Sequence, residues 1–304
     1  MLRIFRRYQK KHVDNPGTHP FYQEWGQHDQ VFYAATRQFS TAALPSLTSI
    51  RYVIQGGYTH HSGNVPFRLR AGDCLISRPG SPYAVEIDSL VPVMTLEVHY
   101  SHSTARELSL DANNNSVEEI LDPGDKPLPE IIDRIEQPDA DFLNRIRQLM
   151  ASTIDSGSPS TLAARTNADG LLLDVLRRQS GNEKEWQRLS AARASTRKEL
   201  YRRLVRARDY LLCHFDKKIN IEEVSQVACL SRFHFQRLFR EAFGISVYQM
   251  MMTRRLQWAQ SQLRTGESVT AVSRQSGFAH ESSFSRAYKR QYGYSPRHTV
   301  AHRK

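Results

Sequence analysis

The sequence contains little of what marks several large classes of protein. Its 304 residues include only three cysteines, Cys74, Cys213 and Cys229. Three widely spaced cysteines favour a reducing compartment over a disulfide framework, and their spacing matches no metal-binding motif. The 15 glycines and 13 prolines are too few for a fibrous or wholly disordered chain. We therefore expect a globular protein that holds no metal and no cofactor.

Membrane and export signals are also missing from the sequence. No apolar run approaches the roughly 20 residues that a membrane-spanning helix needs. The N-terminal stretch MLRIFRRYQKKHVDN is basic but has no apolar core, so it does not resemble a secretory signal. The expected location is therefore the cytoplasm, and no membrane partner is expected.

The positive charge is concentrated in the last third of the chain. Residues 201–304 contain 19 Lys/Arg and 7 Asp/Glu, a net charge of +12, whereas the whole chain carries +11. Residues 1–200 are therefore close to neutral. This asymmetry points to a polyanionic partner for the C-terminal part only, although a merely solvated basic surface would have the same charge.

The N-terminal part contains two kinds of sequence, an irregular polar segment and a β-rich segment. Residues 1–30 are polar and irregular, which predicts an arm or loop. From Val31 to Tyr100, short β-rich segments such as SIRYVIQGG and VPVMTLEVHY alternate with turn sequences such as AGD and RPGSP. This spacing predicts a β-sandwich or barrel.

Helical spacing replaces the strand pattern further along the chain. Phe142, Ile146, Leu149 and Met150 recur as on one face of a helix, and we expect helices over residues 129–178. The polar stretch SGNEKEWQRLSAARASTRKEL follows and is the best candidate for a linker. We predict a first domain at 1–180, a linker at 181–200 and a mostly helical domain at 201–304.

An internal repeat lies in the basic domain. VSQVACLSRFHFQRLFREAFGIS, from Val224, matches VSRQSGFAHESSFSRAYKRQYGYS, from Val272. The first part of each copy aligns at an offset of 48 and the second part at 49, so one residue is inserted in the turn between them. Each copy predicts a helix, a tight turn and a second helix that ends at glycine, Gly244 or Gly293.

The second helix of each copy has two faces. The apolar face of the first is predicted to comprise Phe235, Leu238, Phe239 and Ala242, and that of the second Phe284, Ala287, Tyr288 and Gln291, with Tyr292 beside them. The outward faces are predicted to comprise Phe233, Gln236, Arg237 and Arg240 in the first helix, and Ser282, Ser285, Arg286 and Lys289 in the second. Arg and Gln suit base edges, whereas Ser, Lys and other Arg side chains suit phosphates.

The segment from about Tyr201 to His298 resembles the DNA-binding domain of the AraC/XylS transcription regulators. The resemblance rests on IEEVSQVACLSRFHFQRLFREAFGISVYQ, RRLQWAQSQL, VSRQSGF and SSFSRAYKRQYGYSP. It implies two helix-turn-helix subdomains joined by a long helix at about Ser246–Leu263, with a core row of Leu256, Ala259 and Leu263. The two recognition helices would enter successive major-groove turns, about 34 Å apart along the duplex.

The resemblance also assigns DNA-contacting residues by position. The candidates for base reading are Phe233, Gln236 and Arg237 in the first helix, and Glu281, Ser282 and Arg286 in the second. Phosphate contacts or solvent-facing positions are expected for Arg232, His234, Arg240 and Lys289, and Ser231 is a plausible N-cap whose helix start faces a phosphate. The sequence departs from the family pattern at Cys229, where glycine is common, at Ser225 and Ser273, where alanine is usual, and in RHTV near the end.

The N-terminal part resembles the cupin-type sensor domain of sugar-responsive members of that family. The resemblance is carried by RLRAGDCLISRPGSPY, Arg68 to Tyr83. It implies an α+β chain in which a cupin-like β-barrel with trailing helices binds an effector and precedes the all-α double helix-turn-helix domain. The pair His60–His61 lacks a downstream carboxylate at metal-binding spacing, and we interpret it as part of a solvated turn.

Four residues are candidates for effector binding: Trp25, Tyr83, Thr95 and Glu97. In VMTLEVHY, Thr95, Glu97 and His99 alternate with apolar residues, so one of the two rows faces the interior. If the polar row lies inside, Thr95 and Glu97 would bind a polyol or another polar effector; otherwise that row is wet. Phe21, Tyr22 and Trp25 either close over a pocket or only pin the arm. The helices of residues 129–178 either dimerise or simply pack on the barrel.

The expected function is sequence-specific regulation of transcription, with activation as the expected mode, in a bacterial, nucleoid-associated protein that is not an enzyme. Double-stranded promoter DNA, a small-molecule effector such as a sugar, RNA polymerase and a second copy of the chain are the expected partners. One alternative is a cupin-type enzyme with secondary DNA binding, which requires clustered metal ligands. Another is a nucleoid protein without sequence preference, which leaves the sensor-like half without a role.

Overall fold

The computed structural model describes residues 2–8, 26–41, 43–112, 131–155, 161–180, 182–190 and 193–301. The chain separates into two compact units, Met1–Lys184 and Glu185–Lys304. The first unit contains a mixed sheet with helices and the second is helical, so the α+β prediction is confirmed. Within the described ranges, no helix is long and apolar enough to cross a membrane.

A nine-stranded sheet forms the centre of the first unit. Its strands pair in the order β1-β2-β8-β4-β7-β9, with β3 and β5 on β8 and β6 on β5. The parallel pair is β1–β2, and the other pairings are antiparallel. Among the described pairings β1 and β9 stay at opposite ends. The strands are β1 Leu2–Tyr8, β2 Asp29–Ser40, β3 Leu44–Pro45, β4 Thr48–Gln55, β5 Gly57–Ser62, β6 Val65–Arg70, β7 Cys74–Ser77, β8 Pro82–Tyr100 and β9 Arg134–Glu136.

Strand β8 is long and strongly bent. Its partner β2 shifts register from Thr36–Val93 to Gln38–Asp88, so residues 89–92 bulge out, and Leu90 there is fully exposed. In a straight strand Tyr83 and Glu97 would lie about 46 Å apart. Instead, the Tyr83 ring lies 4.1 Å below the guanidinium of Arg51, the cross-strand partner of Glu97. The bend therefore folds the start of β8 over its own end.

Both faces of the end of β8 are buried. Its apolar row of Leu96, Val98 and Tyr100 packs under the helices of the first unit, against residues such as Phe142 and Leu171. Because side chains alternate along a strand, the row of Thr95, Glu97 and His99 lies on the opposite face, and it is also buried. Of the two alternatives, the one in which the polar row is wet is therefore wrong.

The helices predicted over residues 129–178 begin later than the sequence indicated, and a further helix, His102–Ala112, precedes them. Residues 134–136 form β9 on the sheet edge, not a helix, and the first predicted helix begins at Ala140, where the Asp139 carboxylate accepts the Phe142 N–H. Gly170 lies inside a helix, where a Cβ would meet the guanidinium end of the flexible Arg145 side chain. The helices are α1 His102–Ala112, α2 Ala140–Met150 with a π-helical turn Ala151–Asp155, and α3 Thr161–Ser180.

The predicted linker at 181–200 is mostly helical in its described residues. It contains α4, Asn182–Gln187, and the start of α5, Ala194–Cys213. The Tyr201 hydroxyl donates to the Glu185 carboxylate at 2.5 Å, and the Arg197 guanidinium lies 5.7 Å from the Trp186 ring. Through these contacts the stretch packs against α5. Its polar composition alone did not indicate this packing. The outer boundaries of the domains stay a prediction.

The second unit contains the predicted repeat. The helix at Val269 begins 48 residues after the one at Ile221, and the helix at Glu281 begins 49 residues after the one at Arg232. The inserted residue therefore lies in the turn, as the alignment indicated. The predicted row Leu256, Ala259 and Leu263 is buried against the second copy. After α5, the helices are α6 Ile221–Val227, α7 Arg232–Phe243, α8 Val247–Thr265, α9 Val269–Gln275, α10 Glu281–Tyr292 and α11 Pro296–Ala301.

Candidate nucleic-acid interface

Helix α7 is held by its apolar face. Ser231 occupies the N-cap position, although its side chain makes no capping hydrogen bond, and Gly244 ends the helix in the left-handed region at φ 72°. The ring centroids of Phe235 and Phe239 lie 5.4 Å apart, and those of Phe239 and Phe243 lie 4.7 Å apart. The predicted buried residues, Phe235, Leu238, Phe239 and Ala242, are all buried.

The opposite face of α7 is open to solvent. The most unusual side chain is Phe233, which is 82% exposed in the first turn, whereas the two phenylalanines behind it are fully buried. An exposed aromatic among cations is a poor choice for a helix that only packs, because it gains nothing from burial. The predicted contact residues of this helix, Ser231, Arg232, Phe233, His234, Gln236, Arg237 and Arg240, are all exposed.

Arg237 makes exposed contacts that cost little to break. Its Nη1 donates to Glu241 Oε1 at 3.2 Å and to Ser190 Oγ at 3.3 Å. Glu241 also accepts from the N–H and Oγ of Ser190, at 3.2 and 3.0 Å. A pair of this kind on a helix surface stabilises by only about 0.3–0.5 kcal/mol. The guanidinium can therefore exchange Glu241 for a nucleic-acid partner at small cost.

Helix α10 repeats this design with different side chains. It ends at Gly293, at φ 82°, and buries Phe284, Ala287 and Tyr288. The expected fourth buried residue, Gln291, is exposed. Tyr292 takes its place, with its ring 4.7 Å from that of Tyr288. The aromatic row therefore follows i, i+4, i+8 spacing, so the last turn half-buries Tyr292 and leaves Gln291 exposed.

The outward face of α10 is smaller and more polar than that of α7. Ser282, Arg286 and Lys289 are exposed, in the places of Phe233, Arg237 and Arg240. Glu281 is half-buried, and its Oε2 accepts from Thr270 Oγ1 at 2.9 Å. That bond directs the carboxylate at the start of the helix, where the positive end of the helix dipole favours it.

The turns of the two copies have the same backbone but different residues. Each turn has one residue with a left-handed backbone, and the residue after it donates its N–H to the carbonyl oxygen of a buried serine. Leu230 donates to Ser225 at 3.0 Å, and Phe278 donates to Ser273 at 3.4 Å. The left-handed position itself is Gly277 in the second copy, at φ 78°, and Cys229 in the first, at φ 52°. A non-glycine residue costs roughly 1–2 kcal/mol there. The departure at Cys229 is therefore a strained one.

Two buried arginines on α8 were not recognised in the sequence. Arg255 is 7% exposed; its Nε donates to the Phe215 carbonyl at 2.6 Å and its Nη2 to the Lys217 carbonyl at 2.7 Å. Burial lowers the pKa of Arg255. Its neighbour Arg254 is also buried, with Nε 3.4 Å from the Leu212 carbonyl. The available signal was spacing, because Arg255, Ala259 and Leu263 fall on one helix row.

The first unit contains a buried polar cluster around Glu97. Its carboxylate accepts from Thr95 Oγ1 at 3.0 Å, and it lies 3.7 Å from Arg51 Nε and 3.4 Å from His99 Nε2. Gln30 and Ser49, the cross-strand partners of His99, are also buried, and their Oε1 and Oγ have no hydrogen-bond partner among the described residues. Thr95 and Glu97 thus lie together inside the unit.

Tyr83 closes the same cluster from the other end of β8. Its ring lies under the Arg51 guanidinium and stacks 5.5 Å from the ring of His60. His60 lies on β5 and is buried, so its interpretation as a solvated turn residue is wrong, and burial lowers its pKa well below the usual value. The His60 Nδ1 and the Tyr58 hydroxyl have no hydrogen-bond partner among the described residues. Phe21, Tyr22 and Trp25, the last of them a predicted effector residue, fall outside those residues.

Within the described ranges, no group of three or more His, Cys, Asp or Glu side chains could hold a metal ion.

Comparison with known proteins places the repeat in a family. A family profile described as a helix-turn-helix domain matches residues 224–302. The regulatory protein SoxS of Escherichia coli K12 is 30% identical over 84 residues, which cover 27% of this chain and 78% of SoxS. The chain belongs to the AraC/XylS family. The AraC/XylS features lie in the second unit, where α6–α7 and α9–α10 form the two helix-turn-helix motifs.

Other relatives are similar over shorter shares of their length. The probable transcriptional regulator LumQ of Photobacterium leiognathi is 36% identical over 89 residues, 29% of this chain and 36% of LumQ. The matched part thus spans only about a third of the curated relatives that match first. Among solved structures, ToxT from Vibrio cholerae aligns with 90% of this chain and 98% of its own at 13% identity, with a TM-score of 0.33.

Proposed function

We propose that this chain is a sequence-specific DNA-binding regulator of transcription. The observation that carries the proposal is the duplicated two-faced helix: α7 and α10 each bury an aromatic row and expose a cationic row in matching positions. The net charge of +12 over residues 201–304 supports a polyanionic partner. Membership of the AraC/XylS family supports the same reading.

The exposed residues of α7 and α10 suit two kinds of DNA contact, to base edges and to phosphates. Arg237 and Arg286 suit bidentate hydrogen bonds to guanine, and Gln236 suits adenine. Phe233 offers only apolar contact, whereas Ser282 and the carboxylate of Glu281 offer short polar contacts to base edges. Phosphate contacts are proposed for the residues around them: Ser231, Arg232, His234, Arg240 and Lys289.

Specific and non-specific binding together test the proposal. Selection from randomised duplexes by the full chain should enrich one site, and binding should weaken steeply with added salt. Arg237→Ala should weaken the selected site by about 10–100-fold, from a lost discrimination of roughly 1–3 kcal/mol, and non-specific DNA much less. Arg203→Ala, an exposed arginine on α5 that bonds Glu199, is the control and should affect both equally. Equal losses for Arg237→Ala would contradict base reading.

We also propose that the buried polar cluster of the first unit binds the controlling effector. Arg51 and Glu97 balance each other in charge, and His60 with its lowered pKa is neutral, so the cluster suits an uncharged polar ligand such as a sugar or polyol. Tyr83, Thr95 and Glu97 would contact the ligand, and Trp25 stays a proposed member. Closure of the bent sheet into a cupin-like barrel is part of the same proposal.

Thermal unfolding tests effector binding. A ligand that binds only the native state raises Tm with concentration, so a screen of sugars and polyols should yield at least one stabiliser. Thr95→Val should abolish that shift while leaving DNA binding without effector unchanged. If no uncharged ligand raises Tm and anionic ligands do, the proposed class of ligand is wrong.

The remaining partners are proposals of the same account. Control of promoters implies contact with RNA polymerase. The apolar rows of α2 and α3 are buried against the sheet, so the outer faces of these helices are proposed as the dimer surface. We propose action by binding rather than by catalysis, as an activator, in the bacterial cytoplasm with the nucleoid. The oligomeric state of the full chain, measured by sedimentation, tests the dimer.

A further inference from the structure

Helix α8 joins the two helix-turn-helix motifs and belongs to the core of the second one. Its row Leu256, Ala259 and Leu263 packs with Phe284 and Tyr288 of α10. The first motif packs on α5, where the rings of Tyr201 and Phe243 lie 6.0 Å apart. The relative position of the two motifs therefore depends on how α8 attaches to the end of α5.

Arg255 is central to that attachment, which also includes the 3.4 Å contact of Arg254 Nε with the Leu212 carbonyl and the Trp258 ring, 5.5 Å from that of Phe215. Arg255 projects from α8 and donates to the carbonyls of Phe215 and Lys217, in the connection that follows α5. Buried backbone carbonyls need hydrogen-bond donors, and a guanidinium supplies two in a fixed planar fork. The connection and α8 are thus linked by two short, buried, charge-assisted hydrogen bonds.

The same guanidinium contacts the second motif from its other side. It lies 5.7 Å from the ring of Phe278, in the turn between α9 and α10. The neighbouring Gly277 is so close that a Cβ there would come within 2.6 Å of the Asp216 carbonyl oxygen and 2.9 Å of Arg255 Nη2. Three segments therefore meet at the Arg255 side chain: the connection that follows α5, helix α8, which carries it, and the turn between α9 and α10.

We propose that Arg255 is a positioning residue that sets the separation of α7 and α10, and so the number of base pairs between the two half-sites that the protein reads. The inference rests on the proposed function. A pivot of either motif would strip hydrogen bonds from a buried cation or press the Gly277 backbone onto Asp216. The two recognition helices therefore form one rigid DNA-binding surface, which prefers a single spacing between the two half-sites.

Duplexes with altered spacing test the proposal. One inserted base pair moves a half-site by about 3.4 Å and rotates it by about 35°. The wild-type chain should lose at least about 10-fold in affinity for such a duplex, a discrimination of roughly 1.4 kcal/mol. Arg255→Met should bind the selected duplex more weakly and lose less than about 3-fold on insertion, because its motifs adjust. Arg264→Met, an exposed arginine on the same helix, should keep the wild-type spacing preference.

Two further measurements keep the test decisive. Phe278→Leu removes the aromatic contact but leaves both carbonyl hydrogen bonds, and it should flatten the spacing preference even if Arg255→Met unfolds. Spin labels on the exposed Cys229 and on Gln291→Cys, with Cys74 and Cys213 buried, give the distance between the motifs without DNA. That distance distribution should be narrow in the wild type and broader in Arg255→Met or Phe278→Leu.

The opposing results are equally clear. An unchanged spacing preference and an unchanged distance distribution in both variants would overturn the positioning role. A wild-type chain that selects no sequence at all would contradict the proposed function instead, while the spin-label distances would still decide whether Arg255 holds the motifs together.

Discussion

The two helix-turn-helix motifs of the second unit share their buried sides and differ on their exposed ones. Phe235, Phe239 and Phe243 in the first correspond to Phe284, Tyr288 and Tyr292 in the second, with the same spacing and similar ring contacts. On the outward side, Phe233 and Gln236 correspond to Ser282 and Ser285. The comparison indicates that both helices dock in the same way on their supports while presenting different chemistry outward.

The first prediction concerns the two buried rows and has the largest expected effect. Phe235→Ala and Phe284→Ala should each lower the free energy of unfolding by about 3–5 kcal/mol, because both rings are fully buried at equivalent positions. Urea unfolding of the full chain measures this. Phe233→Ala is the matched control and should change stability by less than about 0.5 kcal/mol. A large loss for Phe233→Ala would mean that this ring has a structural role.

The second prediction concerns the turn of the second motif. Gly277→Ala should destabilise by about 2–5 kcal/mol, since a left-handed non-glycine residue costs roughly 1–2 kcal/mol and overpacking roughly 1–3 kcal/mol. Gly293→Ala is the control: Gly293 has a similar φ of 82° but open space around it, so only the backbone cost applies. If the two variants lose equal stability in thermal unfolding, the close contact between Gly277 and Asp216 is contradicted.

The third prediction concerns the hydroxyls that only the second motif carries. The Tyr288 hydroxyl lies 2.8 Å from Thr299 Oγ1 and ties α10 to α11. Tyr288→Phe should cost about 0.5–1.5 kcal/mol, the usual net value of one hydrogen bond. In a double-mutant cycle with Thr299→Ala the two losses should not add. Additive losses would show that the hydroxyls do not depend on each other.

The fourth and smallest effect is expected at Cys229. Cys229→Gly should raise the free energy of unfolding by about 0.5–1 kcal/mol, because glycine relieves the left-handed strain but loses more entropy on folding. The gain would make the first turn match the second. A loss of stability would mean that the exposed thiol makes a contact stronger than the strain.

Local patterns predicted the second unit well, and the first unit only in part. The aromatic and cationic positions of α7 and α10 recur at fixed offsets, so their helices, turns and exposed faces could be derived from residues such as Phe235 and Arg286. Gln291 is the exception, because periodicity does not decide between adjacent positions at a helix end. Arg255 was missed although it shares a helix row with Ala259 and Leu263, because its partners are backbone carbonyls, which leave no mark in a sequence.

Long-range pairing explains the misses in the first unit. Leu2–Tyr8 is basic and lies in a polar segment, yet it forms a strand by pairing with β2. Residues 134–136 join the sheet edge through β7, far away in the chain. The alternation of Thr95 and Glu97 with apolar neighbours correctly indicated a strand, but it did not reveal that the bend of β8 buries both rows.

Conversion of one recognition face into the other tests the central claim most directly. The variant with Glu281→Arg, Ser282→Phe and Ser285→Gln gives α10 the proposed base-facing residues of α7 while leaving its buried row unchanged. In selection from randomised duplexes, the wild type should enrich two unlike half-sites, and the variant should enrich two alike ones, the second becoming a copy of the first. An unchanged second half-site in a folded variant would contradict the claim that the two helices dock alike and that their exposed residues choose the bases.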